Sequence, residues 1–145
     1  DRIDIAQAAA QQLREVGIHC TVDIPAVMDW GGQMACLIGW GSPFDADDHT
    51  YKVFGTDKGA NYSGYSNAEV DEALTKARES SDPAVRKQYY DEFQVALAND
   101  PAYAFICYID ANYVATSRLH GIAVDTVMGH HGVGIFWNVE TWTLD

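Results

Sequence analysis

Trp40 and the carboxylates that follow it are the side chains of this sequence best suited to holding a small ligand. Trp40 stands between Gly39 and Gly41, so a large aromatic is presented where the backbone is free to turn sharply. Its ring offers a flat face for stacking or for a cation–π contact, and its indole N–H is a single donor. Without further context the same ring also reads as a core aromatic closing a strand. Asp45, Asp47 and Asp48 gather negative charge next to it. Together they can hold an ammonium group by charge-assisted hydrogen bonds, roughly twice as strong as neutral ones. The competing use of Asp47 and Asp48 is to cap the helix that begins here.

A second suggestive pair is His130-His131, followed by Gly132. Adjacent histidines on a regular strand point to opposite faces, and no glutamate stands at the HExxH spacing of a zinc protease. A loop or core role is therefore preferred. A metal-dependent hydrolase using His130 and His131 is kept as the alternative function. His19 and His120 stand alone, and His49 lies near the acidic loop without a motif of its own. No GxSxG elbow, phosphate loop or dinucleotide fingerprint is present, so a binding role is expected rather than an enzyme, and no cofactor.

The elements that must position Trp40 follow from the hydrophobic pattern. Residues 34–38 form a short apolar run ending at Gly39-Trp40-Gly41, which predicts a buried strand delivering the aromatic and the carboxylates at its C-terminal end. Open α/β sheets place their ligand sites at that end. Upstream, residues 3–16 predict a helix with Ile5, Ala9, Leu13 and Val16 on one side and Gly17 as its stop. A strand over 18–24 follows, closed by Pro25. Helix, tight turn and strand make half of a βαβ unit, so an earlier strand is expected before Asp1 and the chain reads as a segment of something longer.

Downstream, Ser66 and Glu69 predict a capping box opening a helix to about residue 80 that buries Val70, Ala73, Leu74 and Ala77. Glu72 and Lys76 form an i,i+4 pair on its wet face. Asp82-Pro83 predicts the start of a second helix, with Val85, Tyr89, Phe93 and Leu97 inside and Asn99-Asp100-Pro101 as its end. Strands are expected over 102–109 and 112–116. From residue 117 the pattern loosens into glycine-punctuated segments and an aromatic tail.

Two stretches carry a resemblance. Gly39-Trp40-Gly41-Ser42-Pro43-Phe44-Asp45 resembles the ligand loop of the extracytoplasmic solute-binding proteins of peptide and nickel ABC importers, solute-binding family 5. A longer match follows in Asn61, Gly64, Tyr65, Asn67, Val70, Asp71, Leu74 and Ala77, then Asp82, Arg86 and Tyr89 or Tyr90. The resemblance implies an α/β fold: the C-terminal lobe of a periplasmic-binding-protein type II architecture, a mixed sheet flanked by helices, incomplete here. It implies that residues 1–117 belong to lobe II and that 118–145 return to lobe I. It also implies a ligand, oligopeptide, dipeptide or nickel chelate, captured between lobes and delivered to a membrane permease, with Trp40, Phe44, Asp45 and Asp47 facing it. The peptide-binding branch has an aspartate three residues beyond the tryptophan to grip the ligand's amine, whereas this chain has Pro43. The Trp-Gly-small-Pro-aromatic-Asp version is closer to the nickel-binding branch, in which Trp40 and Phe44 match pocket aromatics. That branch's metal-contacting histidine falls near residues 56–58, where this chain has none. The parent protein is then expected to be a periplasmic or cell-surface monomer.

Composition bounds these expectations. The formal net charge of −12 repels phosphate backbones and argues against nucleic acid as a partner. No apolar run approaches the ~20 residues needed to span a bilayer, and no basic-then-apolar leader is visible. Cys20, Cys36 and Cys107 each sit in an apolar, strand-like run with no metal-binding spacing, so three buried thiols are expected.

Overall fold

Helix-forming stretches dominate the chain because each satisfies its backbone internally and carries its own start and stop signals. The structure is a computed structural model describing residues 2–27, 29, 34–41, 45–108, 110, 112–122 and 134–145. The described elements are α1 (Arg2–Glu15), α2 (Ala46–Phe54), α3 (Ala68–Glu79), α4 (Pro83–Asn99), β1 (Leu119–His120), a 3-10 segment (Gly134–Thr141) kinked at Asn138, and β2 (Thr143–Leu144). The chain divides into two units, Asp1–Gly39 and Trp40–Asp145.

In the first unit α1 ends as its glycine predicts. Gly17 adopts a left-handed φ of +87°. The Ile18 amide donates to the Leu13 carbonyl at 2.9 Å and the Gly17 amide to Arg14 at 3.1 Å, the paired bonds of a Schellman stop. The apolar face of α1 is only partly covered: Ala10 is buried, while Ile3, Leu13 and Val16 are exposed. The expected strand over 18–24 forms no regular element and pairs with nothing among the described residues, and Ile18 and Ile24 are exposed.

The second unit is built on α3. Asn67, not Ser66, is its cap: the Asn67 side chain accepts from the amides of Glu69 and Val70, while the Ser66 hydroxyl meets Thr56. An asparagine one position later outcompetes the expected serine because its carbonyl reaches both free amides. The stripe Val70, Ala73, Leu74 and Ala77 is buried as the sequence predicts, and Glu72 pairs with Lys76 at 2.6 Å. Helix α4 starts on the Asp82 cap with Pro83 in the first turn. It packs on α3 through Phe93, Ala96 and Leu97. Val85 is exposed, against expectation, since the contact stripe drifts around the helix and Tyr90 takes the inner position in its first half. Tyr51 and Phe54 of α2, with Tyr65, close the core, Phe54 lying 5.6 Å from the Phe93 ring.

The strands predicted over 34–38, 102–109 and 112–116 form no ladder among the described residues, and Ile109 lies outside them. An extended segment leaves its amides and carbonyls to a neighbour, and an apolar alternation cannot supply that neighbour by itself. For the same reason Cys20, Cys36 and Cys107 are exposed rather than buried. The described sheet is the antiparallel pair β1–β2, with Leu119 opposite Leu144 and His120 opposite Thr143. It closes the C-terminal segment on itself around Asn138, whose amide donates to the Gly121 carbonyl and whose oxygen accepts from the Trp142 indole. Helices with a small sheet make a mixed α/β chain. No described helix is long and apolar enough to cross a membrane.

Candidate ligand site

Each expected carboxylate finds a partner on the helices. Asp45 is the N-cap of α2: with extended backbone (φ −123°, ψ 136°) its side chain accepts from the Asp47 amide at 2.8 Å. It also accepts from the Arg86 guanidinium of α4, tying the loop to the helical core. The Asp47 amide first, and Arg86 after it, hold the Asp45 carboxyl below the usual carboxylate range. Asp47 lies in the first turn, its Oδ1 3.1 Å from Arg78 Nε of α3. That is ion-pair distance without hydrogen-bond alignment, and Oδ1 has no hydrogen bond otherwise among the described residues. Arg78 also lies over the Tyr51 ring, 3.8 Å from its centre. Asp48 pairs with Lys52 one turn on, at 2.8 Å. Each of the three acids thus faces a cation, and a cationic ligand would have to compete with Arg86, Arg78 or Lys52 for it.

Between α2 and α3 the chain is held by one asparagine. Asn61 donates to the carbonyls of Gly55 (3.0 Å) and Tyr65 (2.7 Å) and accepts from the Tyr65 amide at 3.0 Å. Thr56 fastens the other side, its amide 2.8 Å from an Asp71 oxygen and its hydroxyl on the second oxygen. Gly64, with φ of +67°, allows the turn that brings Tyr65 back to Asn61.

This fixed loop sets Tyr62 against Trp40. The two rings are nearly parallel, 10° apart in plane and 6.3 Å between centres. His49, on α2, approaches the same indole at 5.6 Å with a 47° tilt. Trp40 is half-buried and Tyr62 is 45% exposed, so the cluster lies at the surface of its unit and not in the α3–α4 core. Trp40 Nε1 and His49 Nδ1 are both shielded from water and lack a hydrogen-bond partner among the described residues. Leaving such a group unpaired costs about 1–3 kcal/mol. The Tyr90 hydroxyl, also unpaired among them, is pushed above the usual phenol range by burial and then by the charge of Asp47.

Of the residues singled out from sequence, Trp40 therefore stands in an aromatic cluster with Tyr62 and His49, while Asp45 and Asp47 brace α2. Phe44, His130 and His131 lie outside the described residues. Sequence reasoning set His49 aside and passed over Tyr62. The signal for His49 was its helical spacing, four residues on from the Asp45 cap. For Tyr62 it was the position directly after the loop-closing asparagine.

No protein-family model matches the chain. It is 35% identical over 128 residues to Protein XP55 of Streptomyces lividans, covering 83% of this chain and 24% of that protein. Against the oligopeptide-binding protein AppA of Bacillus subtilis (strain 168) it is 29% identical over 160 residues, 99% of this chain and 27% of that one. Among solved structures it matches NikZ from Campylobacter jejuni in complex with Ni(L-His), with 37% identity and a TM-score of 0.79, over 98% of this chain and 30% of that one. The chain is similar to segments of solute-binding protein family 5, to which AppA and NikZ belong. By its match to the NikZ structure it has the type II binding-protein fold, mixed α/β, and it spans about a quarter of the length of the curated relatives it matches. The two relatives named for what they bind are binding proteins, so the hydrolase alternative at His130 and His131 gains no support from them. Among the described residues, no group of three or more His, Cys, Asp or Glu side chains comes together as a metal site.

Proposed function

We propose that the protein carrying this segment is the substrate-binding component of an ABC importer. It takes an oligopeptide, a dipeptide or a nickel chelate between two lobes and hands it to a membrane permease on the extracytoplasmic side. The observation that carries this reading is the likeness over 98% of the chain to a protein solved with a nickel–histidine complex. An oligopeptide-binding relative matched over 99% of the chain supports it. Trp40 is the ligand-facing residue of this segment, with Phe44 its neighbour in the pocket. Asp45 and Asp47 act on the ligand through the loop they hold.

Hinge closure is the mechanism: the ligand enters an open cleft, and contacts from both lobes stabilise the closed form. Residues 118–145 cross to the other lobe. In support, the segment pairs with itself through β1 and β2 and leaves Phe136, Trp137, Val139 and Leu144 exposed. The protein acts as a monomer and as a binder, not an enzyme.

Calorimetric titration of the full-length protein with the nickel–histidine chelate and with short oligopeptides tests the reading. Micromolar or tighter binding of one class is expected, and Trp40→Ala should weaken it by about tenfold, the loss of one stacked aromatic contact. Absence of heat with both classes would sink the assignment, and unchanged affinity in the variant would remove Trp40 from the pocket.

A further inference from the structure

Two touching rings of the Trp40 cluster each keep one nitrogen without a hydrogen bond among the described residues, Nε1 of Trp40 and Nδ1 of His49. The large majority of buried side-chain polar atoms in folded proteins are paired. Two unpaired ones on neighbouring rings mark a site that something else completes. The indole nitrogen is only ever a donor, and an imidazole nitrogen carrying its proton is one too. With His49 protonated on Nδ1, what satisfies both is an acceptor, and the loop's carboxylates already face cations: Asp45 is on Arg86, Asp47 at ion-pair distance from Arg78 and Asp48 on Lys52. The spacing of acidic residues suggests a site for an ammonium; the pairing of those acids points to the opposite charge.

Resting on the ligand-binding reading above, we infer that His49 and Tyr62 complete the site around Trp40. The two ring nitrogens donate to a carboxylate or carbonyl oxygen of the ligand at the ring edges, beside the face on which Tyr62 stacks. Both nitrogens are closed to water, so access requires a group at the cluster to move. Tyr62 is placed to be that group. It is 45% exposed on a loop whose backbone is held by Asn61 and Thr56, so its side chain yields to ligand without a helix shifting. A carboxylate is common to the end of a peptide and to an amino acid chelating a metal, and either source fits.

The test uses the full-length protein and the indole N–H resonance of Trp40, assigned through Trp40→Phe. It is titrated with the nickel–histidine chelate, with trialanine, and with trialanine amide, which lacks the terminal carboxylate. The Trp40 signal is expected to move downfield on saturation with the chelate or trialanine, and loss of the response with the amide alone assigns the oxygen to a peptide terminus. His49→Leu and Tyr62→Ala should each weaken the bound probe by about fivefold or more, the scale of one lost polar or stacking contact. His49→Asn, which keeps a donor near the Nδ1 position, should recover most of the His49 loss. A melting temperature within a degree or two of the parent shows that the variants are folded. If a probe binds while the Trp40 signal stays put and both variants bind within twofold of the parent, the inference is overturned and the importer reading survives. If no probe binds the parent protein, both fall together.

Discussion

Helices α3 and α4 bury their apolar stripes, whereas the apolar stretch that follows them stands in solvent. Leu74 is 0% exposed, while Tyr108 and Val114 are as open as in an unfolded chain, at 103% and 99%. Apolar content does not separate the two regions; the reach of their hydrogen bonds does. A helix closes its backbone bonds within four residues, so two of them need only each other's side chains to make a core. An extended stretch must find its backbone partner elsewhere. Where no such neighbour stands among the described residues, the alternating side chains have nothing to pack against.

The contrast is most directly broken at Leu74. Leu74→Ala should lower the unfolding free energy of the chain by about 2–5 kcal/mol, read from urea denaturation, because the site lies between two helices and cannot collapse freely. A loss under 1 kcal/mol would mean that the α3–α4 pair is not the stable part. A smaller effect is expected at the cap. Asn67→Ala should cost about 1 kcal/mol, since it strips the Glu69 and Val70 amides of their acceptor and removes a 2.8 Å bond to Asp100.

Asp45 gives a pH-dependent version of the same test. Its carboxyl titrates below the unfolded value of about 4, so its contribution is fully present above that value and is lost as pH falls through the lowered folded pKa. Asp45→Asn should flatten this acid limb of the stability profile while leaving the profile above pH 5 nearly level. An unchanged acid limb would show that the Arg86 contact contributes nothing. The smallest effect belongs to the exposed region: Tyr108→Ser should move stability by no more than about 0.5 kcal/mol in this chain. A large loss there would show that the segment has a packing partner after all.

Legibility in the sequence followed the same divide. The buried face of α3, the Glu72–Lys76 pair, the Asp82-Pro83 start and the Gly17 stop depend on residues within a turn or two, and each stands where local spacing puts it. Ser66 was displaced as cap by Asn67 because two adjacent residues competed for the same amides. Strand positions and cysteine burial depend on distant neighbours, which spacing does not encode. At the site, Trp40 was visible from its flanking glycines. The partners of Asp45 and Asp47, Arg86 and Arg78, stand far along the chain and were not legible from local spacing. Tyr62 and His49 became legible only when folding brought their rings to the indole.

The asparagine at position 61 has a consequence for how such a protein diversifies. The bend next to Trp40 is locked from inside by that amide and by Thr56 on Asp71, so its backbone path is fixed on both sides of position 62. A change at position 62 then alters the ring laid against Trp40 while the loop's own backbone bonds stay in place, so cargo choice can shift by one letter without a new scaffold.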